Sequence, residues 1–297
     1  MTENKKIVTY SQYNEDLILS AFLYDVKQGF YIDVGANSPE VDSVTKLFYK
    51  IGWHGINIEP IKSLYEELVK ERPKDINLQL GIGSKPGFEV FREYVGKEGH
   101  STFDEKQKQE YSSNNEYIDY KVRIDTLENV LKSYKANHIH FLKIDVEGFE
   151  YQVVAGNDWR KYRPEIICIE ANHTYQDWES ILIKNEYNLL IFDGLNKYYV
   201  AQESYNRTIG FVERLIDIYH KSIQPNTYSN ILSYQRRVKA LTDQNAQLTD
   251  QNAQLTKSYE YVARFSFKDK PLRLRLKLSL YALTIDWYNF KKINKKR

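Results

Sequence analysis

Five stretches of the 297-residue chain end an apolar run on carboxylates or glycines: Asp33-Val34-Gly35-Ala36-Asn37, Glu59-Pro60, Gly81-Ile82-Gly83, Asp145-Val146-Glu147-Gly148 and Glu170-Ala171-Asn172-His173. Carboxylates accept hydrogen bonds and protons, and a glycine lets backbone approach a ligand closely. Glu59 follows Gly35 by 24 residues, the spacing of a nucleoside-binding turn and an acid that accepts from two ribose hydroxyls. A ribose-bearing cofactor is implied. A dinucleotide needs a G-x-G-x-x-G turn around its pyrophosphate, whereas this turn has only Gly35, flanked by Asp33 and by Pro39-Glu40. S-adenosylmethionine carries a sulfonium and an ammonium and no phosphate, so acidic surroundings favour it over NAD.

Transfer of its methyl group is an in-line displacement that requires an aligned acceptor and a group to remove the acceptor's proton. The candidates are Asp145, Glu147, Glu170, His173 and His100; histidine side chains ordinarily titrate near neutrality. The preferred assignment has Asp145 and Glu147 positioning acceptor hydroxyls, with one of them or His173 as base. A competing arrangement has Asp145, Glu147 and Glu170 as oxygen ligands of Mg²⁺, which would lower the acceptor's pKa. Simpler roles exist too. Glu147 fits a cap on a helix starting at Gly148, and Lys143 fits a strand residue whose amine pairs with a carboxylate.

The elements that must position these residues follow from periodicity. A helix with an acidic first turn opens the domain around Asn14-Glu15-Asp16. Phe30–Val34, Gly55–Glu59 and Ile76–Ile82 read as strands, separated by helices over Val41–Lys50 and Ser63–Glu71. That alternation predicts right-handed crossovers and a parallel sheet. Pro86 to Tyr120 reads as a polar, irregular excursion of the lid type. Beyond it come a strand at Tyr120–Ile124, a helix at Thr126–Tyr134, strands at His140–Asp145 and Glu165–Glu170, and a hairpin of Asn188–Phe192 with Lys197–Gln202.

Six of these blocks, S-Q-Y-N-E-D-L, F-Y-I-D-V-G-A-N, I-N-I-E-P, V-R-I-D-T-L-E, F-L-K-I-D-V-E-G-F-E and I-I-C-I-E, occur in an order that resembles the FkbM-type S-adenosylmethionine-dependent methyltransferases, over about residues 10–205. The resemblance implies an α/β class I methyltransferase fold, Rossmann-like, with a seven-stranded, mostly parallel sheet holding one antiparallel strand. It also implies O-methylation, commonly of sugar or polyketide-type hydroxyls. Carried over by position, Asp33, Gly35 and Asn37 would line the methionine end and Glu59 the ribose. The segment after Gly81 would lie near adenine, and Asp145 and Glu147 near the transferred methyl.

The formal charge of +2 conceals a split: residues 264–297 hold eleven Lys/Arg and two acids, a net +9, which leaves −7 on the rest. The sequence divides into a methyltransferase domain (1–205), a connecting helical segment (206–228), a coiled coil (229–263) and a basic amphipathic tail (264–297). In the coiled coil Ile231, Val238, Asn245, Asn252 and Tyr259 take position a, and Tyr234, Leu241, Leu248, Leu255 and Val262 take position d. Asn at two a positions with Leu at d favours a parallel homodimer, a rod ~50 Å long if wholly helical. The tail, with Leu272, Leu276, Leu280, Leu283 and Trp287 in one stripe, suits an anionic membrane surface or a glycosyltransferase partner.

Nucleic acid is disfavoured by the acidic body. The lone Cys168 points to a reducing compartment. No apolar run reaches the ~18–20 residues that span a bilayer, so the expected location is cytoplasmic, peripheral on the inner face of the membrane. The expected function is O-methylation of a lipid-linked bacterial surface glycan, capping its growth. The alternative is a catalytically idle head on a scaffold. Deleting residues 264–297 should release the protein from membranes or its partner, as read by fractionation, while a small acceptor is still methylated; unchanged fractionation refutes the anchor.

Overall fold

A computed structural model describes residues 7–172 and 176–223, together with Gln254. The chain divides between Pro225 and Asn226. The heptads, Gln254 apart, the basic tail and His173 lie outside the described residues.

In chain order the elements are β1 (Ile7–Val8), α1 (Glu15–Phe22), β2 (Phe30–Val34), α2 (Lys46–Lys50), β3 (His54–Ile58), α3 (Lys62–Glu71), β4 (Ile76–Leu78), β5 (Gly81–Ile82), β6 (Gly87–Tyr94) and α4 (Glu105–Tyr111). After these come β7 (Tyr117–Asp125), α5 (Leu127–Ser133), β8 (Phe141–Ile144), α6 (Glu150–Ala155), β9 (Ile166–Glu170), α7 (Glu179–Lys184), β10 (Tyr187–Phe192), β11 (Asn196–Ala201), α8 (Phe211–Lys221) and β12 (Ser222–Ile223). The expected seven-stranded sheet runs β10-β11-β9-β8-β2-β3-β4, and β11 pairs antiparallel with both its neighbours.

The central strands are apolar on both sides because both sides are covered. Along β2, β8 and β9 the residues Ile32, Val34, Leu142, Ile144, Ile167 and Ile169 pack with Leu127, Val130 and Leu131 of α5 and with Val153 and Val154 of α6. The alternate residues Tyr31, Phe141, Ile166 and Cys168 pack on the other face with Ile18, Leu19 and Phe22 of α1, Phe48 of α2 and Leu215 of α8. The period-two alternation of a strand thus separates two cores on opposite faces of one sheet.

From β2 the chain moves through β3 to β4, then returns to place β8 on the other side of β2. This reversal is the switch point at which doubly wound sheets bind ligands. Gly35 sits in it with φ +81°, and a Cβ there would lie 1.8 Å from the carbonyl oxygen of Asp145. Gly35 N and Ala36 N donate to Ile58 O, while Asp145 N donates to Val34 O. The ends of β2, β3 and β8 are therefore tied together just below the cleft.

Three expectations are corrected. The helix anticipated over Val41–Lys50 is confined to Lys46–Lys50. The preceding loop is held by buried Arg72, which donates to Pro39 O (2.6 Å) and Ser43 Oγ (3.2 Å). The strand anticipated over Ile76–Ile82 is two strands: β4 stays in the main sheet and β5 joins a second sheet of order β5-β7-β6. Gly81 permits this, since a Cβ there would lie 2.6 Å from the side chains of Ile124 and Phe103.

The supposed irregular excursion is mostly regular. β6, α4 and β7 form a small subdomain, in which Phe91, Phe103, Val122 and Ile124 pack with Ile61 from the start of α3. Gly35→Ala should cost at least about 1–2 kcal/mol, from the left-handed backbone alone. Chemical denaturation checks this, and wild-type stability would contradict the close approach.

Candidate active site

A cleft of about 480 Å³ opens over the carboxyl ends of β2, β3, β8 and β9, lined by Asp33, Gly35, Asn37, Glu59, His100, Asp145, Glu147 and Glu170. Every described candidate from the sequence therefore lies on one wall or another of a single cavity.

On the β3 side, Glu59 accepts from the amides of Asn37 (2.8 Å, at Oε2) and Ile61 (2.8 Å, at Oε1). A carboxylate has about four acceptor positions, so each oxygen keeps capacity for one more donor. Burial pushes the Glu59 pKa up to about 7 against the pull of those two amides. Asn37 adopts φ +50° and its Oδ1 accepts from Ser38 N (2.7 Å), which bends the chain toward Glu59. At the end of β2, Asp33 is 2% exposed. Its Oδ2 accepts from Thr45 Oγ1 (3.2 Å), and Oδ1 is buried with no hydrogen-bond partner among the described residues. Burial raises its pKa to about 6, opposed by Lys143.

Across the cleft, Asp145, Glu147 and Glu170 bring carboxylate oxygens within 4.8 Å of one another. Lys143 Nζ lies 2.8 Å from Asp145 Oδ2. Burial works against this ammonium, but Asp145 and Asp33 outweigh it and push its pKa up. Asn172 Nδ2 donates to Glu170 Oε1 (3.0 Å). Burial, then the neighbouring charges of Asp145 and Glu147, drive the Glu170 pKa well up.

The turn that presents Glu147 is strained, with φ +50° at Glu147 and +98° at Gly148. Two outside contacts hold it. Thr102 Oγ1 donates to Glu147 O (2.7 Å), and a Cβ on Gly148 would lie 3.0 Å from Gln107 and 3.1 Å from Asp104 at the start of α4. Glu147 does not cap that helix; in the turn before it, Glu150 Oε1 accepts from Gly148 N (3.1 Å) and Val146 N (3.3 Å). The helix itself begins only at Glu150, which is why Glu147 cannot cap it.

His100 ends a 3₁₀ turn, and its ring stacks on Tyr111 (centroids 5.0 Å apart, 18° between planes). Both rings line the cleft. His173 lies outside the described residues. Periodicity alone overlooked Glu15, which also lines the cleft and is 4% exposed. It looked like an ordinary first-turn acid; the only signal was its place inside the S-Q-Y-N-E-D-L block. Tyr111 and Glu150 were overlooked for a related reason, since their partners lie on other elements.

The chain matches the model of the methyltransferase FkbM domain over residues 33–198. It belongs to that family. A search of curated proteins found no match. The family match runs from Asp33 in β2 to Tyr198 in β11, so this FkbM-type methyltransferase carries all four acid-bearing strand ends inside the shared domain.

Its buried acids predict an unusual pH response. Burial raises Glu15, Glu59 and Glu150 to about 7 and Asp33 to about 6. Between roughly pH 4.5 and 7 the folded state then holds protons that the unfolded chain has released, so stability is greatest at the acid end and falls as pH rises through about 7. His140, lowered by burial and by His138, opposes this as one group against four. The ligand-free methyltransferase should melt several degrees higher at about pH 5.5 than at about pH 8; a melting temperature that climbs over that range contradicts the burial of these acids.

Proposed function

We propose that this methyltransferase uses S-adenosylmethionine to methylate a sugar hydroxyl of a bacterial surface glycan. The observation that carries this is the division of one cleft into two acid-lined halves: Glu59 held by two amides on the β3 side, and Asp145, Glu147 and Glu170 converging on the other.

The residues fit the cofactor. Gly35 lets the β2 turn lie against the Asp145 carbonyl at the floor of the cleft, buried Asp33 Oδ1 has an unused acceptor position among the described residues, and the donor set is anionic where the ligand is cationic. When bound, S-adenosylmethionine supplies an electrophilic methyl on sulfur. Glu59 would accept from its ribose hydroxyls, and Asp33, Gly35 and Asn37 would face its methionine portion. The acid cluster would then orient the acceptor hydroxyl and take its proton, titrating as a unit rather than as one residue.

A glycan acceptor is supported by the polar, carboxylate-rich lining, because sugar hydroxyls are donors. The stacked faces of His100 and Tyr111 add a flat surface for the apolar side of a pyranose ring. Oligomerisation through the heptads and membrane or glycosyltransferase contact through the +9 tail would hold several such clefts near a lipid-linked chain and place the methyl where it stops growth.

Two substitutions test the two halves separately. Glu59→Gln should weaken S-adenosylmethionine binding by about 10–100-fold, the scale of a lost charged hydrogen bond, read by calorimetry. Glu147→Gln should leave that affinity within about twofold and lower kcat by about 10²–10⁴, read on a glycan acceptor. Loss of cofactor binding in Glu147→Gln with none in Glu59→Gln would reverse the assignment.

A further inference from the structure

The amino end of α1 reaches the cleft, although the family match begins only at Asp33. Gln12, Tyr13 and Glu15 line the cavity together with Asp33. The two acids that open α1 divide their work. Asp16 secures the chain, since its carboxylate accepts from Thr9 Oγ1 (2.7 Å), Ser11 Oγ (2.8 Å) and Tyr10 N (2.8 Å). Glu15 is the one that faces the cavity. Its Oε2 accepts from Tyr13 N (2.8 Å) and its Oε1 from Asn196 Nδ2 (3.3 Å), which fixes the carboxylate at two points and leaves each oxygen capacity for a further donor.

Sheet register brings Glu15 and Asp33 to one region of the cleft floor. Asp33, Lys143 and Cys168 pair in a row across β2, β8 and β9. Lys143 acts electrostatically on both Asp33 and Glu15, and Glu15 acts in turn on Cys168. The ion pair of Lys143, however, is made with Asp145 (2.8 Å). Among the described residues neither Glu15 nor Asp33 has an ion-pair partner. Glu15 is 4% exposed, and Asp33 is buried with its Oδ1 lacking a hydrogen-bond partner among the described residues. Buried carboxylates without a countercharge in contact are costly, and a ligand that brings a cation to them offsets that cost.

We propose that Glu15 and Asp33 receive the ammonium of the cofactor's methionine moiety. An ammonium carries three donors and a full positive charge, so it can serve a free acceptor position on Glu15 and Asp33 Oδ1 together. A hydroxyl would supply one donor and no countercharge. The inference rests on the S-adenosylmethionine reading of the cleft and adds the residue that selects for the amino-acid end of that ligand: Glu15, from the segment that precedes the family match.

The test uses the full chain and two probes, S-adenosylhomocysteine and its deaminated analogue, in which hydrogen replaces the ammonium. By calorimetry the wild type should bind the analogue about 10–100-fold more weakly than S-adenosylhomocysteine. Glu15→Gln should weaken S-adenosylhomocysteine by a similar factor and leave the analogue within about twofold of its wild-type affinity, with unchanged circular dichroism. A merely structural role would lower both ligands equally. If Glu15→Gln does not fold, the same comparison is read on Glu15→Asp, which keeps the charge and withdraws it by one methylene. Equal loss of both ligands, or S-adenosylhomocysteine affinity within twofold of wild type, overturns the assignment. If the wild type binds S-adenosylhomocysteine and Glu59→Gln weakens it while Glu15→Gln does not, only the ammonium site falls; if the wild type binds neither probe, the methyl-transfer reading falls and the ammonium site with it.

Discussion

The ammonium of Lys143, buried on β8 with Asp145 2.8 Å away and Asp33 close enough to act on it, lets the acid-bearing ends of β2 and β8 pack side by side. Removing a carboxylate from water costs several kcal/mol unless an opposite charge or donors replace the solvent. Lys143 serves Asp33 and Asp145; backbone amides serve Glu59 and Glu150. What these partners leave uncompensated, chiefly Asp33 Oδ1 and Glu170 Oε2, lies in residues lining the cleft. The same desolvation that burdens the ligand-free fold makes the cleft a place where a cation is stabilised, and strongly perturbed acids in a cleft are the expected mark of a functional site.

Backbone geometry decides how close these charges come. Gly35 places the β2 turn against the Asp145 carbonyl, and the paired positive φ values of Glu147 and Gly148 throw the next acid into the cleft. Such conformations persist only where neighbours over-determine them. Here the neighbours belong to the small β5-β7-β6 subdomain and α4, through Thr102, Asp104 and Gln107. The segment that looks like an appended lid is therefore a support for the Glu147 turn. The cleft wall formed by His100 and Tyr111 comes from the same segment.

Where patterns are local and repeated, the sequence was legible. The apolar runs of Phe30–Val34 and Phe141–Ile144, which lead into Asp33-Val34-Gly35 and Asp145-Val146-Glu147-Gly148, located the switch point and its candidates. Where a residue's role depends on a partner distant in sequence, it was not. Glu150 and Glu147 are both acids three residues apart, and only the fold shows which one accepts from the amides of the turn. Gly87–Tyr94 carries apolar residues that face solvent as well as a core, so its period was blurred and a strand passed for irregular chain. Ile76–Ile82 satisfied the strand pattern throughout, and its division between two sheets follows from contacts of Gly81 with Ile124 and Phe103.

By itself, then, the sequence determined the order of the main-sheet strands, the identity of the acids at their ends and the family to which the chain belongs, because periodicity and ordered motifs are properties of neighbouring residues. Only the tertiary structure decided that Asp33, Glu59, Asp145, Glu147, Glu170 and His100 share one cleft, which of their oxygens are already paired and which element holds the Glu147 turn. Those outcomes depend on desolvation and on contacts between residues as far apart as Thr102 and Glu147, and neither quantity exists until the chain has folded.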